Sequence, residues 1–128
     1  LHQPGKTLIA ATEIDSIRIK QYCDLGIEVI ALPSRDGRVD IGLLMRHLGG
    51  MGITSVLAEG GGTLLGSLFD LGLADRAVAF IAPSLIGGEN AVTPVAGNGA
   101  RTVAEALRLK QVTVERFGDD IMISGYCR

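Results

Sequence analysis

The sequence that decides the fold reads Ser55-Val56-Leu57-Ala58-Glu59-Gly60-Gly61-Gly62-Thr63-Leu64-Leu65-Gly66-Ser67. An apolar run leads into consecutive glycines, and leucines then recur at helical spacing. This order predicts a buried strand over 53–58, a glycine turn, and a helix that opens at 59–63 and stops at Gly72. In an open parallel sheet, ligands bind beyond the carboxyl ends of the strands, so we expect the glycine turn to lie at a ligand-binding edge.

The segments on both sides of this stretch alternate between strand and helix patterns. Asp15 or Thr12 is expected to cap a first helix, which ends before Gly26. Asp40 stands at the N-cap position of a second helix with an apolar stripe. The predicted elements are strands over 6–12, 27–32 and 76–82, helices over 15–24 and 41–48, a turn over 33–38, an irregular stretch over 85–102, and a closing hairpin of strands over 110–117 and 121–127.

This alternation of elements predicts the class of fold. Strands that alternate with helices pair in parallel through right-handed crossovers, with helices on both faces of the sheet. The closing hairpin adds antiparallel strands. The sequence therefore predicts an α/β fold, with a mixed, mostly parallel sheet, helices on both faces and a C-terminal antiparallel hairpin. Because there is no internal repeat and no linker, we expect residues 1–128 to form a single domain.

Composition narrows the classes of function. The 128 residues carry 12 Lys plus Arg against 14 Asp plus Glu, a formal charge of -2, and the basic residues do not cluster. This balance offers no electrostatic footprint for nucleic acid or for an anionic membrane, so we expect neither as a partner. Cys23 and Cys127 stand alone in the sequence, so neither a metal site nor a disulfide framework is expected, and a reducing intracellular compartment fits best.

The glycine turn has the chemistry of an anion-binding site. The first N–H groups of a helix lack intrahelical partners and carry about half a positive charge, and glycines let a phosphate approach them. The turn could therefore hold the diphosphate of a dinucleotide, although its spacing matches neither Gly-x-x-x-x-Gly-Lys-Ser/Thr nor Gly-x-Gly-x-x-Gly. The alternative is structural: residues 60–62 make only a tight turn, and Glu59 favours the positive end of the helix.

Three blocks of the sequence, taken together, resemble a known family. Residues 58–67, 71–75 and 80–88 read A-E-G-G-G-T-L-L-G-S, L-G-L-A-D and F-I-A-P-S-L-I-G-G. In this order and spacing they resemble the C-terminal reductase domain of the bifunctional riboflavin-biosynthesis deaminase/reductase, a 5-amino-6-(5-phosphoribosylamino)uracil reductase. The resemblance implies a dihydrofolate-reductase-like fold. It also implies that NADPH reduces the ribosyl group of that substrate to a ribityl chain, with hydride delivered to C1′ of the ring-opened imine.

The resemblance also implies roles for single residues. Glu59 would bind the substrate by accepting hydrogen bonds from the aminopyrimidine. No acid or base for catalysis can be assigned, Asp75 is expected to be structural, and Arg76 receives no role. The residues expected to bind the NADPH phosphates are Gly61, Gly62, Thr63, Leu64, Leu65, Gly66 and Ser67.

The resemblance extends to the assembly and to the extent of the chain. It implies a cytoplasmic homodimer that takes a small aminopyrimidine ribose phosphate as substrate. Compared with the family, the N-terminal half of the reductase domain and the zinc signature of the deaminase domain are missing. The chain is therefore expected to be a C-terminal part of the reductase domain, with little reductase activity by itself, because substrate and nicotinamide must be held together.

Two alternative functions remain open from the sequence. The chain could be a non-catalytic nucleotide-binding or assembly module in which the glycine turn is structural, or a pterin-type reductase of the same fold. Thr12 could contact a cofactor ribose or phosphate instead of capping a helix. His2 and His47 have no evident partners and are expected not to be catalytic.

Overall fold

The computed structural model describes residues 5–128, so His2 lies outside the described residues. The chain divides into two compact units, the first ending at Val56 and the second spanning Leu57–Arg128. Each unit contains helix and strand, which confirms the α/β class. In chain order the elements are β1 (Leu8–Ala11), α1 (Ser16–Asp24), β2 (Glu28–Ala31), β3 (Ser34–Arg35), β4 (Arg38–Val39), α2 (Ile41–Gly50), α3 (Gly62–Asp70), β5 (Arg76–Ile81), a single 3-10 turn (Val103–Glu105), β6 (Lys110–Phe117) and β7 (Asp120–Tyr126).

A parallel pair of strands forms the first sheet of the first unit. β1 and β2 pair residue for residue, ending with Ala11 opposite Ala31. α1 connects the two strands, and Oδ1 of Asp15 accepts a hydrogen bond from the Arg18 N–H at 2.9 Å. Of the two caps that the sequence allows, the structure therefore uses Asp15. The helix ends ahead of Gly26, whose φ of +73° is the left-handed conformation expected after a helix.

A hairpin and a second helix complete the first unit. β3 and β4 pair antiparallel around Asp36 and Gly37, whose φ values of +53° and +74° suit a two-residue turn. α2 begins at its predicted cap, because Oδ1 of Asp40 accepts the Leu43 N–H at 2.9 Å. The apolar stripe of α2 is half-buried, and the helix ends ahead of Gly52, which has a φ of +82°.

The second unit contains α3 and an antiparallel sheet in which β7 lies between β5 and β6. The register of β6 shifts between Lys110 and Thr113, and Gly118, with a φ of +62°, makes the turn into β7. Ser124 on the central strand is 1% exposed. Its Oγ accepts a hydrogen bond from Nη2 of Arg76 at 2.9 Å and lies 2.9 Å from Oγ1 of Thr113. This network links all three strands of the sheet.

The segment 53–58 is not a strand, so that prediction is wrong. It has no strand partner among residues 5–128, and Val56 and Leu57 are 51% and 81% exposed. An apolar run forms a strand only where a neighbouring strand pairs with its backbone groups. The described residues contain one parallel pair of strands and three antiparallel pairs. The parallel share of the pairing is therefore smaller than the alternation predicts.

Candidate functional site

The amino end of α3 has no side-chain cap. Gly61 occupies the N-cap position with φ -66° and ψ 169°, and no side chain bonds to the first turn. The N–H groups of Leu64 and Leu65 donate to the Gly61 carbonyl at 3.0 and 3.2 Å, which closes the first turn. The preceding N–H groups have no intrahelical acceptor, so they remain available at the positive end of the helix dipole.

The space around Gly61 is open. A Cβ added to Gly61 would meet no atom within 4 Å. One added to Gly60 would lie 2.5 Å from Cδ2 of Leu64, the end of a flexible side chain. A ligand can therefore approach the first turn of α3 from the side of Gly61.

The next two glycines are covered by backbone. Residues 93–98, which we name the strap, lie over the face of α3 that carries Gly62 and Gly66. A Cβ on Gly62 would lie 2.7 Å from the Thr93 carbonyl oxygen, and one on Gly66 would collide with the Ala96 carbonyl. The Ala96 N–H donates to the Gly62 carbonyl at 3.0 Å. Gly62 and Gly66 therefore leave room for the strap, a role that is not apparent from the sequence.

The other residues predicted to bind the cofactor lie along the same helix. Thr63 is exposed in the first turn, and its carbonyl accepts a hydrogen bond from Oγ of Ser67 at 3.0 Å. Leu64 is 36% exposed, and Leu65 is half-buried. Of these residues, Gly61 and Thr63 lie most directly at the open amino end of α3.

Glu59 precedes the N-cap by two residues, and its side chain is exposed. Within residues 5–128 its carboxylate takes part in no ion pair. It is therefore free to accept hydrogen bonds from a ligand. A carboxylate that accepts from amino groups thus stands next in sequence to backbone N–H groups that donate to anions.

Asp75 and Arg76 make contacts within the protein at the start of β5. Nε of Arg128 donates to Oδ1 of Asp75 at 2.6 Å, and the Cys127 N–H donates to the Asp75 carbonyl at 2.8 Å. The guanidinium carbon of Arg76 lies 5.8 Å from the centre of the Tyr126 ring. Burial raises the pKa of the Cys127 thiol, and Asp75 adds to this shift while Arg128 opposes it. These contacts hold the start of β5 to the end of β7.

Thr12 and His47 belong to the first unit. Thr12 is half-buried directly after β1, and the cap of the following helix is Asp15. Nε2 of His47 is buried and has no hydrogen-bond partner among the described residues. An open groove of about 540 Å³ runs along the end of β1 and α1, lined by Ile9, Ala11, Glu13, Ile14, Asp15, Arg18 and Tyr22.

Metal-binding groups and membrane-spanning helices are two further features that bear on function. Across residues 5–128, no three His, Cys, Asp or Glu side chains are grouped so that they could hold a metal ion. In the same part of the chain, every helix is too short or too polar to cross a membrane.

The strap is the feature that sequence reasoning missed. Oδ2 of Asp70 accepts the Asn98 N–H at 2.8 Å, and Gly97, with a φ of +94°, lies against the same carboxylate. The signal in the sequence is spacing, because Gly62, Gly66 and Asp70 recur every four residues and so share one helix face. This spacing indicates a face with little side chain on it, but it does not tell which segment covers that face.

The chain is similar to known proteins over nearly its whole length. The family described as RibD C-terminal domain matches residues 2–123. A riboflavin biosynthesis protein RibD from Actinobacillus pleuropneumoniae is 38% identical over 118 residues, which are 92% of this chain and 31% of that protein. A 2,5-diamino-6-ribosylamino-4(3H)-pyrimidinone 5′-phosphate reductase from Methanothermobacter thermautotrophicus is 40% identical over 96 residues, which are 75% of this chain and 44% of that reductase. The chain therefore spans less than half the length of these curated relatives.

Solved structures share the fold. RibD from Acinetobacter baumannii matches with a TM-score of 0.72 at 23% identity, over 93% of this chain and 30% of that one. A pyrimidine reductase-like protein from Corynebacterium diphtheriae matches with a TM-score of 0.60 at 20% identity, over 93% of this chain and 48% of that one. This likeness confirms the dihydrofolate-reductase-like α/β fold expected from the sequence.

Proposed function

Because the chain belongs to the RibD C-terminal domain family, we propose that it acts in riboflavin biosynthesis in an NADPH-dependent pyrimidine reductase, with this chain supplying part of the NADPH and substrate site. The reaction reduces the ribosyl group of 5-amino-6-(5-phosphoribosylamino)uracil to a ribityl chain. Relatives named as riboflavin biosynthesis proteins and as a ribosylaminopyrimidinone phosphate reductase support this reaction class. The observation that carries the proposal is the uncapped amino end of α3, preceded by the exposed carboxylate of Glu59.

The residues at the amino end of α3 fit a dinucleotide diphosphate. Gly61 leaves the approach open, since even an added Cβ would meet no atom within 4 Å. The N–H groups of Gly62 and Thr63 lie at the start of the helix, where a phosphate gains both hydrogen bonds and the helix dipole. Bound NADPH would supply the hydride, and the part of this chain is to hold and orient the cofactor. Leu64, Leu65 and Ser67 continue the proposed cofactor segment, and Gly66 belongs to it as the residue on which the strap rests.

Glu59 is the proposed substrate contact. An ionised carboxylate accepts hydrogen bonds and cannot donate them, so it suits the amino groups of an aminopyrimidine. Hydrogen bonds to a charged group are worth roughly twice those between neutral groups. Glu59 therefore orients the pyrimidine in this proposal, and the proton donor of the reaction is left unassigned.

The proposal also covers the residues that form the functional domain and the cellular compartment in which it acts. The family match covers residues of both compact units, which supports one reductase-like domain over residues 1–128. Cys23 and Cys127 are unpaired, as isolated thiols are in a reducing compartment such as the cytoplasm.

A homodimer is also part of the proposal, and the sheet of the second unit supports it. The register places Val78 and Phe80 on one face of the sheet and Ile81 and Val114 on the other. These four side chains are 50%, 62%, 51% and 63% exposed. Apolar surface of this kind is typical of a sheet that another layer covers. Sedimentation velocity tests this point: a dimer is expected, and a monomer at all concentrations would contradict it.

A cofactor titration tests the proposed function. Calorimetry measures the binding of NADPH, NADH and inorganic pyrophosphate to the chain. The absorbance of NADPH is then followed after substrate is added. The proposal expects NADPH to bind more tightly than either comparison compound. Because this chain is expected to have little reductase activity by itself, the proposal expects little substrate-dependent loss of NADPH. Equal binding of all three compounds would instead indicate the non-catalytic nucleotide-binding or assembly module.

A further inference from the structure

The strap is held on α3 by backbone contacts. The Ala96 N–H donates to the Gly62 carbonyl at 3.0 Å, and the Asn98 N–H donates to Oδ2 of Asp70 at 2.8 Å. Gly66, the buried residue of α3, lies between these two bonds. A Cβ added to Gly66 would collide with the Ala96 carbonyl. The contacts therefore run along one face of the helix, from its first turn to its last residue.

The side chains of the strap contribute little to this contact. All residues of 93–98 are exposed, and Val95 is 44% exposed. The strap carries no helix or strand, and one internal bond shapes it, from Oγ1 of Thr93 to the Val95 carbonyl at 3.2 Å. With so little apolar burial, the position of the strap depends on its hydrogen bonds to Gly62 and Asp70.

The strap also limits access to the amino end of α3. It covers the side of the first turn that carries Gly62, where a Cβ would lie 2.7 Å from the Thr93 carbonyl oxygen. The side of Gly61 stays open, with no atom within 4 Å of an added Cβ. The carbonyl groups of the strap thus face the covered side, and an anion can reach the N–H groups from the open side.

We propose that the strap positions the amino end of α3 for the cofactor diphosphate, and that Asp70 is a positioning residue because it anchors the strap. This inference rests on the proposed function. Asp70 lies eight residues beyond Gly62, about 12 Å along the helix axis, so its effect on the cofactor passes through the strap and not through direct contact.

Two variants of Asp70 test the anchor. D70A removes the acceptor of the Asn98 N–H, whereas D70N keeps a side-chain oxygen that can accept the same hydrogen bond. V92A is the matched control, because Val92 precedes the strap and is 93% exposed. For each variant, amide hydrogen exchange is measured at Ala96 and Asn98, and the Kd of NADPH is measured by calorimetry.

The expected result separates anchoring from a general loss of stability. In D70A we expect exchange at both amides to be about tenfold faster, since the strap opens locally. We expect the Kd of NADPH to rise about fivefold, within the range typical of residues that act through a neighbouring element. D70N should restore most of both quantities, and V92A should change neither.

Each other outcome contradicts a different statement. If exchange in D70A stays at the wild-type rate, Asp70 does not anchor the strap. If exchange rises while the Kd of NADPH is unchanged, the strap does not position the cofactor end of α3. If the wild-type chain does not bind NADPH, the proposed function itself fails, and the role of the strap fails with it.

Discussion

The helices α2 and α3 begin in opposite ways. At the start of α2, Oδ1 of Asp40 accepts the Leu43 N–H at 2.9 Å. At the start of α3, Gly61 has no side chain, and no side-chain hydrogen bond caps the helix. A capping carboxylate both satisfies a free N–H and places a negative charge at the positive end of the helix. The amino end of α2 is therefore closed by a side chain, and the amino end of α3 has no side-chain cap.

The difference between the two helix ends bears separately on the stability of the protein and on the proposed binding of NADPH. An aspartate at an N-cap typically stabilises a helix by about 1 kcal/mol relative to alanine. Glycine is a better N-cap than alanine, so α3, which begins at Gly61, forgoes only about a few tenths of a kcal/mol relative to an aspartate cap. The comparison predicts that closing the end of α3 weakens NADPH binding, and that opening the end of α2 lowers only the stability of the protein.

The largest effect is expected from closing α3 with G61D. The φ of -66° and ψ of 169° at Gly61 suit an aspartate, and an added Cβ would meet no atom within 4 Å. The new carboxylate would cap the first turn and repel a diphosphate, so we expect the Kd of NADPH to rise about a hundredfold. The melting temperature should stay the same or rise. G61N, a neutral cap, should weaken binding less, and unchanged NADPH affinity in G61D would contradict the proposed cofactor end.

The next effect concerns the acceptor beside that helix end. E59Q keeps the shape of the side chain but replaces one carboxylate oxygen by an NH2 group. A donor on the substrate then loses a charge-assisted hydrogen bond worth roughly 1.5 to 3 kcal/mol. We expect substrate affinity, measured by calorimetry, to fall about tenfold to a hundredfold. If instead Glu59 only favours the helix dipole, the variant loses about 0.3 to 1 kcal/mol of stability and binds substrate normally.

The different environments of Gly61 and Gly66 predict different stabilities for their alanine variants. G66A places a Cβ against the Ala96 carbonyl, so we expect the free energy of unfolding to fall by about 1 to 3 kcal/mol. G61A enters open space, so its loss should come only from the poorer N-cap preference of alanine and should not exceed about 1 kcal/mol. Urea denaturation of both variants measures the difference, and equal stabilities would mean that the strap does not press on Gly66.

The smallest effect is expected from opening α2. D40A removes the acceptor of the Leu43 N–H, so we expect a loss of about 1 kcal/mol in the free energy of unfolding. Asparagine caps helices about as well as aspartate, so D40N should recover most of this loss. NADPH affinity should be the same in all three proteins, and a clear change in D40A would remove the distinction between the two helix ends.

Much of the fold was predictable because its signals are local. Asp15 and Asp40 each bond to an N–H three residues ahead, and Gly26 adopts its left-handed conformation directly after a helix. The hairpin of β6 and β7 follows from alternating residues around Gly118. In the candidate site, the order of carboxylate, glycine turn and helix was also predictable, since it lies within one short segment.

Features that depend on distant segments were not predictable. The segment 53–58 has the composition of a strand, yet pairing requires a neighbour, and the described residues provide none. The hydrogen bond from Arg76 to Ser124 was not predictable, because the two residues lie on different strands, 48 positions apart in the sequence. The same holds for the strap, whose bond from Asn98 to Asp70 joins residues 28 positions apart.

The glycines of 60–66 show this division within one motif. Sequence establishes that a helix begins there without a capping side chain, because caps and turns depend on contacts over three or four residues. It cannot distinguish Gly61, which faces open space, from Gly62 and Gly66, which lie under the strap. Tertiary structure decides this point, since the space available to a Cβ depends on which remote backbone packs against that face.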